Sequence, residues 1–322
     1  MTGTVPDAPL RFGLIGVDSS HAPSFTRLFG NGIDSAVPGG TVTHAWKGEV
    51  SLDFPPSRDR LESNADELAR LGVTMCESPE AVAEACDALL IVSSDSRTHP
   101  GYFERVVRFG KPIYVDTRFA PSLTEARTML AQAQASGALV LAGSPKRFTP
   151  EFRAARPDRG AFRIALDGPL PTQPGHPGLA WYGVHLVDLA VAALGSVGTA
   201  SRQVTVDAGT PGTTSGPTSV TVTWGDGREA TLGGEADWHP FTTGRIETGD
   251  RGAEFSIEAC ESMLTGLLEG IVSSCRTGTP NVPLPEILSI VAIVEAANQS
   301  LASGSKVALE VMPGSLPSNS LR

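Results

Sequence analysis

The sequence predicts an α/β protein of two domains. A doubly wound parallel sheet comes first, and a second α/β domain with a mostly antiparallel open sheet follows. Two observations carry this expectation. Strand and helix signals alternate up to residue 148, the order that yields parallel strands joined by crossover helices. From residue 149 the pattern gives way to short alternating segments linked by "GDG" and "GDRG", which are hairpin signals. A chain of 322 residues is long enough for about two such domains, and residues 312–322 read as a tail.

The elements follow in order. "FGLIGV" is an apolar strand, and Phe25, Leu28 and Phe29 then mark one helical face. "TVTHAW" reads as the second strand and "NADELARLG" as a short helix closed by Gly72. Ser78 and Pro79 open the next helix as N-cap and first helical residue, where the missing N–H of proline costs nothing. "DALLIVSS" is a continuous apolar run, as a strand covered on both faces requires. "YFERVVRFG" ends at Gly110 and leads into "PIYVD". Ser122 and Glu125 form a capping box for a helix that ends on Gly137, before the strand "ALVLAG". The stretch from Pro157 to Trp181 is rich in Pro and Gly, and "YGVHLVDLAVAALG" is a helix closed by Gly195. "RQVTVDA", "SVTVTW", "EATLGG", "GRIET" and "AEFSI" supply the antiparallel strands, and two long helices close the domain.

Charge and composition exclude several classes of function. The chain carries 25 Lys+Arg against 35 Asp+Glu, with no basic tract to follow a phosphate backbone, so nucleic acid is not expected as a partner. No apolar run reaches membrane-spanning length, and the start of the chain lacks a secretory pattern, which reads as a cytoplasmic protein. Cys76, Cys86, Cys260 and Cys275 are widely spaced and read as reduced, mostly buried thiols. His176, His185 and His239 form no ligand motif, so no metal is expected.

The chemistry centres on "GLIGVDSSHAPSF". A strand runs into Gly16 and a helix opens between Ser20 and Pro23, as in a dinucleotide-binding turn. Such a turn wants two further glycines, one for close approach of the diphosphate and one for helix packing. Asp18 and His21 stand at those positions. Asp18 either opposes a diphosphate by its charge or turns inward as a helix cap. Ser19, Ser20 and the N–H groups of the helix still form an anion-attracting end. At the end of the second strand Ala45, Trp46 and Lys47 replace the acidic residue that would hold a ribose. Lys47 suits a 2′-phosphate, hence NADP over NAD, or is simply a solvated lysine. In "SSDSRTH", Ser94, Asp95 and His99 stand at a strand end where a ligand would pass, and His99 alternatively caps the next helix.

The order of these elements, with "THPGYFERVVRFGKPIYVD", "SLTEARTMLAQAQASGALVLAGSPKRFTPEF", "GVHLVDL" and "VEAANQSLASGSKVAL", resembles the Gfo/Idh/MocA family over residues 11 to 311. The resemblance implies an N-terminal Rossmann domain that binds NAD(P). It also implies a C-terminal domain whose open sheet supports substrate and oligomer contacts. Its usual chemistry oxidises or reduces a carbon bearing oxygen on a sugar, cyclitol or related ring, so a small-molecule substrate and a homo-oligomer through the C-terminal sheet are expected. The rich Pro and Gly content is like that of chains from GC-rich genomes, where such proteins often serve specialised metabolism.

The departures fall on the implied site. Where the family carries its catalytic E-K-P, this chain has Asp116, Thr117 and Arg118, so the lysine is missing. Lys111 precedes the strand and cannot take its place. Arg118 can orient or stabilise an oxyanion, but a guanidinium does not exchange protons near neutral pH. Of the family's D-x-x-x-H helix, His185 is kept and Trp181 replaces the aspartate. His185, beside Tyr182 and Asp188 on one helical face, is either a general acid/base or half of a hydrogen-bonded structural pair. Two readings remain open: an NAD(P)-dependent oxidoreductase with a rearranged phosphate loop, or a non-redox lyase, isomerase, cyclase or ligand-binding protein on the same fold.

Overall fold

The computed structural model describes residues 8–158, 160–197, 203–207, 218–249 and 251–310, which divide into two compact units. The expected tail at 312–322 lies outside the described residues.

The first unit holds the chain up to Pro150, together with Gln173–Gly175 and Ala259–Leu284. Its strands are β1 (Leu10–Ile15), β2 (Gly40–Trp46), β3 (Thr74–Met75), β4 (Ala88–Ile91), β5 (Ile113–Val115) and β6 (Val140–Leu141). They form one six-stranded sheet in the order β3-β2-β1-β4-β5-β6, and every pair is parallel. The helices that follow the strands are α1 (His21–Phe29), α2 (Pro55–Arg70), α3 (Pro79–Ala85), α4 (His99–Val107) and α5 (Leu123–Ser136). Phe12, Leu14, Ile15, Leu90 and Ile91 are fully buried, as the continuous apolar runs required. The chain order reverses between β1 and β4, which leaves a crevice at the carboxyl ends of these strands.

Local signals set the element ends. Ser78 accepts the Ala81 N–H at 3.2 Å, and the Lys111 ammonium donates to the carbonyls of Ala83 and Cys86 at the far end of α3. Lys111 is therefore a helix-end cation. Half of the capping box forms: Ser122 Oγ accepts the Glu125 N–H at 3.2 Å, and the Glu125 carboxylate takes the Ser122 hydroxyl at 2.7 Å in place of the Ser122 backbone N–H. Ser122→Ala is expected to lower stability by about 1 kcal/mol, read as a reduced urea midpoint. Gly13 serves close packing, since a Cβ there would lie 2.3 Å from Val82 Cγ1 on α3. The sequence signal caught only the second half of α2, which begins at Pro55, where proline is pre-set for a first turn.

The second unit comprises Glu151–Thr172, His176–Glu258 and the chain from Pro285. It carries α6 (Pro150–Ala155), α7 (Gly183–Leu194) and α9 (Leu284–Ser303). Its strands are β7 (Arg163–Asp167), β8 (Gln203–Asp207), β9 (Thr218–Trp224), β10 (Glu229–Gly234), β11 (Phe241–Thr248), β12 (Arg251–Glu258) and β13 (Val307–Glu310). The seven-stranded order is β12-β11-β7-β10-β9-β8-β13, antiparallel throughout except where β10 meets β7. β7 is hidden in the Pro/Gly-rich stretch, where "RIALD" is too short to stand out, yet Ile164 and Leu166 are buried in strand alternation. α7 covers β7 and β10 and is buried along most of its length.

α8 (Thr265–Thr277) lies in the stretch the sequence reading gave to the second domain, and it belongs to the first unit. A Cβ on Gly266 would lie 2.4 Å from the Phe148 carbonyl oxygen, so a side chain is excluded there. Asn281 pairs through its side-chain amide with both the N–H and the carbonyl of Ala142, at 3.1 and 2.8 Å. The cysteines are all free thiols; Cys86 is buried and Cys260 is exposed, so they are less buried than the composition suggested. Among the described residues no helix is long and apolar enough to cross a membrane, and no group of three or more His, Cys, Asp or Glu is placed to hold a metal.

Candidate functional site

The crevice between β1 and β4 is built on Gly16. Its φ of +72° is left-handed, and a Cβ there would meet Ser93 Cβ at 2.8 Å, so only glycine makes this bend. The chain then passes Val17, Asp18, Ser19 and Ser20 into α1. Asp18 does not cap α1. Its carboxylate turns back and accepts the Ser94 N–H at 2.6 Å, with 2 % of the residue exposed. Ser20 is the N-cap and its side chain makes no capping bond, while Ser19 Oγ accepts the His21 N–H at 3.2 Å. Asn64, on α2, fastens the turn from behind by donating to the carbonyls of Val17 and Ser19 at 2.7 and 3.0 Å. Sequence reasoning missed Asn64, because a polar residue in mid-helix gives no sign of which backbone it will reach.

His21 and Asp116 are brought together, which spacing alone could not show for residues 95 positions apart. His21 opens α1, and Asp116 follows β5 directly. His21 Nδ1 lies 2.8 Å from Asp116 Oδ2. Asp116 Oδ1 accepts Tyr114 Oη–H at 2.9 Å and the Thr117 N–H at 2.9 Å. Burial alone would raise the Asp116 carboxyl, but the His21 imidazole, the Arg118 guanidinium and the Thr117 N–H outweigh it and hold the group well below the usual carboxylate range. The carboxylate is thus an acceptor only, and the proton of the contact belongs to His21 Nδ1. The imidazole stacks on Phe25 with ring centroids 5.2 Å apart and planes 14° apart. Arg118 reaches the Ser94 carbonyl through Nε at 3.4 Å.

Ser94, Asp95 and His99, which follow β4, are all buried. His99 is fully buried, with Nε2 2.8 Å from the Ser93 carbonyl and Nδ1 3.3 Å from the Phe119 carbonyl; a neutral ring donates to one of the two, and the shorter contact marks Nε2 as the donor. Burial pushes its pKa down, which favours the neutral ring. Asp95 is also enclosed. It pairs with Arg97 at 2.7 Å, and Arg97 pairs in turn with Asp53 at 2.7 Å. Burial alone would raise the Asp95 carboxyl, and its bonds to Arg97 and Ser51 turn the net shift downward. The backbone of Gly175 lies on Arg97, where a Cβ would come 2.9 Å from the guanidinium. Lys47 is exposed at the end of β2 and pairs with Glu62 at 2.8 Å. Next to it Trp46 packs edge-on against Tyr102, with Arg105 5.1 Å over its ring.

A second cluster occupies the start of α7 in the other unit. The rings of Tyr182 and His185 meet edge-to-face at 5.5 Å, and Trp238 Nε1–H donates to Tyr182 Oη at 2.9 Å. Trp181 packs against His176, with ring centroids 5.6 Å apart. His185 is 9 % exposed, and Asp188 is buried. A titratable group that no sequence pattern singles out is Lys146, just after β6. It is buried, and burial pushes its ammonium down to about 8.

No protein-family model matches the chain, and no curated protein does. Its fold is that of solved dehydrogenases. A probable dehydrogenase from Thermotoga maritima superposes with a TM-score of 0.72 at 14% identity, covering 93% of this chain and 98% of its own. GenD2 from gentamicin A biosynthesis, solved in complex with NAD, gives 0.71 at 16% identity, with 96% and 100% covered. Myo-inositol dehydrogenase from Lactobacillus casei, solved with NAD(H) and myo-inositol, gives 0.70 at 12% identity, with 96% and 99% covered.

Proposed function

We propose that the chain is a divergent member of the Gfo/Idh/MocA family and acts as an NAD(P)-dependent oxidoreductase on a carbon bearing oxygen in a sugar, cyclitol or related ring. The observation that carries the reading is the turn at Gly16. The objection to a cofactor there was the charge of Asp18, and that carboxylate is drawn inside the protein onto the Ser94 N–H. The exposed surface of this region then carries the Ser20 hydroxyl and the Lys47 ammonium, which suit a diphosphate and a ribose 2′-phosphate. Ser19, Ser20 and Lys47 would hold the cofactor, with NADP favoured over NAD. A bound nicotinamide would supply the hydride acceptor or donor. In this reading the candidate groups for the chemistry are His185 as acid/base, with Tyr182 and Asp188 beside it on α7, and, in the first unit, Asp116 with Arg118. The second sheet, whose exposed face includes Thr243, Arg245 and Glu254, mediates a homo-oligomer.

Titration with NADH and NADPH, followed by fluorescence or calorimetry, is expected to give saturable binding, tighter for NADPH. Failure to bind either at millimolar concentration would sink the redox reading. One observation then favours a lyase, isomerase or cyclase, or a ligand-binding role. The first-turn donors of α1 are largely spent: the N–H groups of His21 and Ala22 go to Ser19, and Pro23 has none.

A further inference from the structure

We propose that the Nε2 nitrogen of His21 is the proton-accepting site that faces a hydroxyl-bearing ligand in this crevice, and that Asp116 is its positioning residue. The assignment rests on the oxidoreductase reading above and supplies what the lysine missing after β5 would have done. Four features of the first unit carry it. The His21 side chain keeps 18 % of its surface exposed, while the Asp116 side chain keeps 1 %. The pair therefore presents its imidazole outward and its carboxylate inward. Asp116 is fixed by Tyr114 Oη and the Thr117 N–H, so it cannot turn away from the ring. With Nδ1–H committed to that carboxylate, the neutral imidazole holds its lone pair on Nε2. Among the described residues Nε2 has no protein hydrogen-bond partner.

The pair stands at the carboxyl edge of the sheet, where open α/β folds bind their ligands. A carboxylate that fixes the tautomer of an imidazole is the arrangement that makes a histidine an oriented base. In the oxidation, the hydroxyl O–H bond breaks and its proton passes to Nε2. A bound oxidised nicotinamide would accept the hydride from the same carbon, so that the carbinol would become a carbonyl. The imidazolium then returns its proton to water. Arg118, beside Asp116, contributes charge but takes no proton.

Two measurements test the assignment without a known substrate. The first is long-range proton–nitrogen NMR of the imidazoles in the full chain, taken in alkaline buffer. The expected result is a His21 ring protonated on Nδ1, which Asp116→Asn converts to the commoner Nε2–H form. An Nε2–H form in the unaltered protein would overturn the proposal. The second is acylation by diethyl pyrocarbonate, mapped by mass spectrometry with and without saturating NADH, with His21→Gln as the blank for the labelled peptide. His21 is expected to be labelled, and at least tenfold more slowly once NADH is bound. Binding heat in calorimetry with unchanged labelling would overturn this assignment and leave the oxidoreductase reading standing. No binding heat at all would sink that reading and this assignment with it.

Discussion

Asp116→Ala is expected to cost about 3–5 kcal/mol of folding stability at pH 7, read as a lower urea midpoint. The carboxylate is 1 % exposed and receives His21 Nδ1–H, Tyr114 Oη–H and the Thr117 N–H. Alanine removes the acceptor of His21 Nδ1–H and of the Thr117 N–H, while Tyr114 Oη keeps the Gly143 carbonyl at 3.3 Å, and an unpaired buried donor costs about 1–3 kcal/mol where water cannot reach it. Asp116→Asn should lose less, because the amide oxygen still accepts from Tyr114 and Thr117. The pH dependence provides a second check. The folded-state carboxyl is held below its unfolded value, so its contribution is fully present above about pH 4 and is lost as pH falls through the folded pKa. The unaltered protein should therefore lose more stability than Asp116→Ala does between neutral pH and strong acid. Equal losses in the two proteins would mean that the carboxylate is not held by these partners.

The same residue shows how far the sequence could be read. The parallel sheet was legible because its strands are buried on both faces and announce themselves as apolar runs such as "DALLIVSS". Helix ends were legible where a cap is encoded locally, as at Ser78 and Ser122. Short strands whose burial depends on remote partners were not. β7 and β13 carry few residues, and each is stabilised by strands elsewhere in the chain, β10 and β11 for the one and β8 for the other. The return of α8 to the first unit is invisible for a related reason, since an amphipathic helix does not state which sheet it will cover.

At the candidate site, the residue types were legible and their directions were not. Asp18, His21 and Asp116 were all singled out by position. That Asp18 would satisfy the Ser94 amide, and that His21 would cross to Asp116, depends on the spacing of β1, β4 and β5, which no local pattern records. His99 stood at a ligand position by sequence and is enclosed by the Ser93 and Phe119 carbonyls. Asn64 and Tyr114 were passed over because each acts through one atom on a partner that is distant or set by the fold.

Lys146 leads to the other large effect. Lys146→Met is expected to stabilise the protein at pH 7 by up to about 3 kcal/mol. Burial pushes this ammonium down to about 8, whereas an unfolded lysine titrates near 10.4, and each unit of difference corresponds to about 1.4 kcal/mol. The sign follows from proton counting. Between about pH 8 and 10.4 the unfolded chain binds more protons than the folded one at this residue, so stability rises with pH across that window. Below about pH 8 both states are charged, and the folded state bears the full cost of enclosing the charge. Methionine fills a similar volume with no charge, so the alkaline rise should disappear in the variant. A rise of equal size in both proteins, measured by urea denaturation from pH 7 to 10.5, would show that Lys146 is not its source.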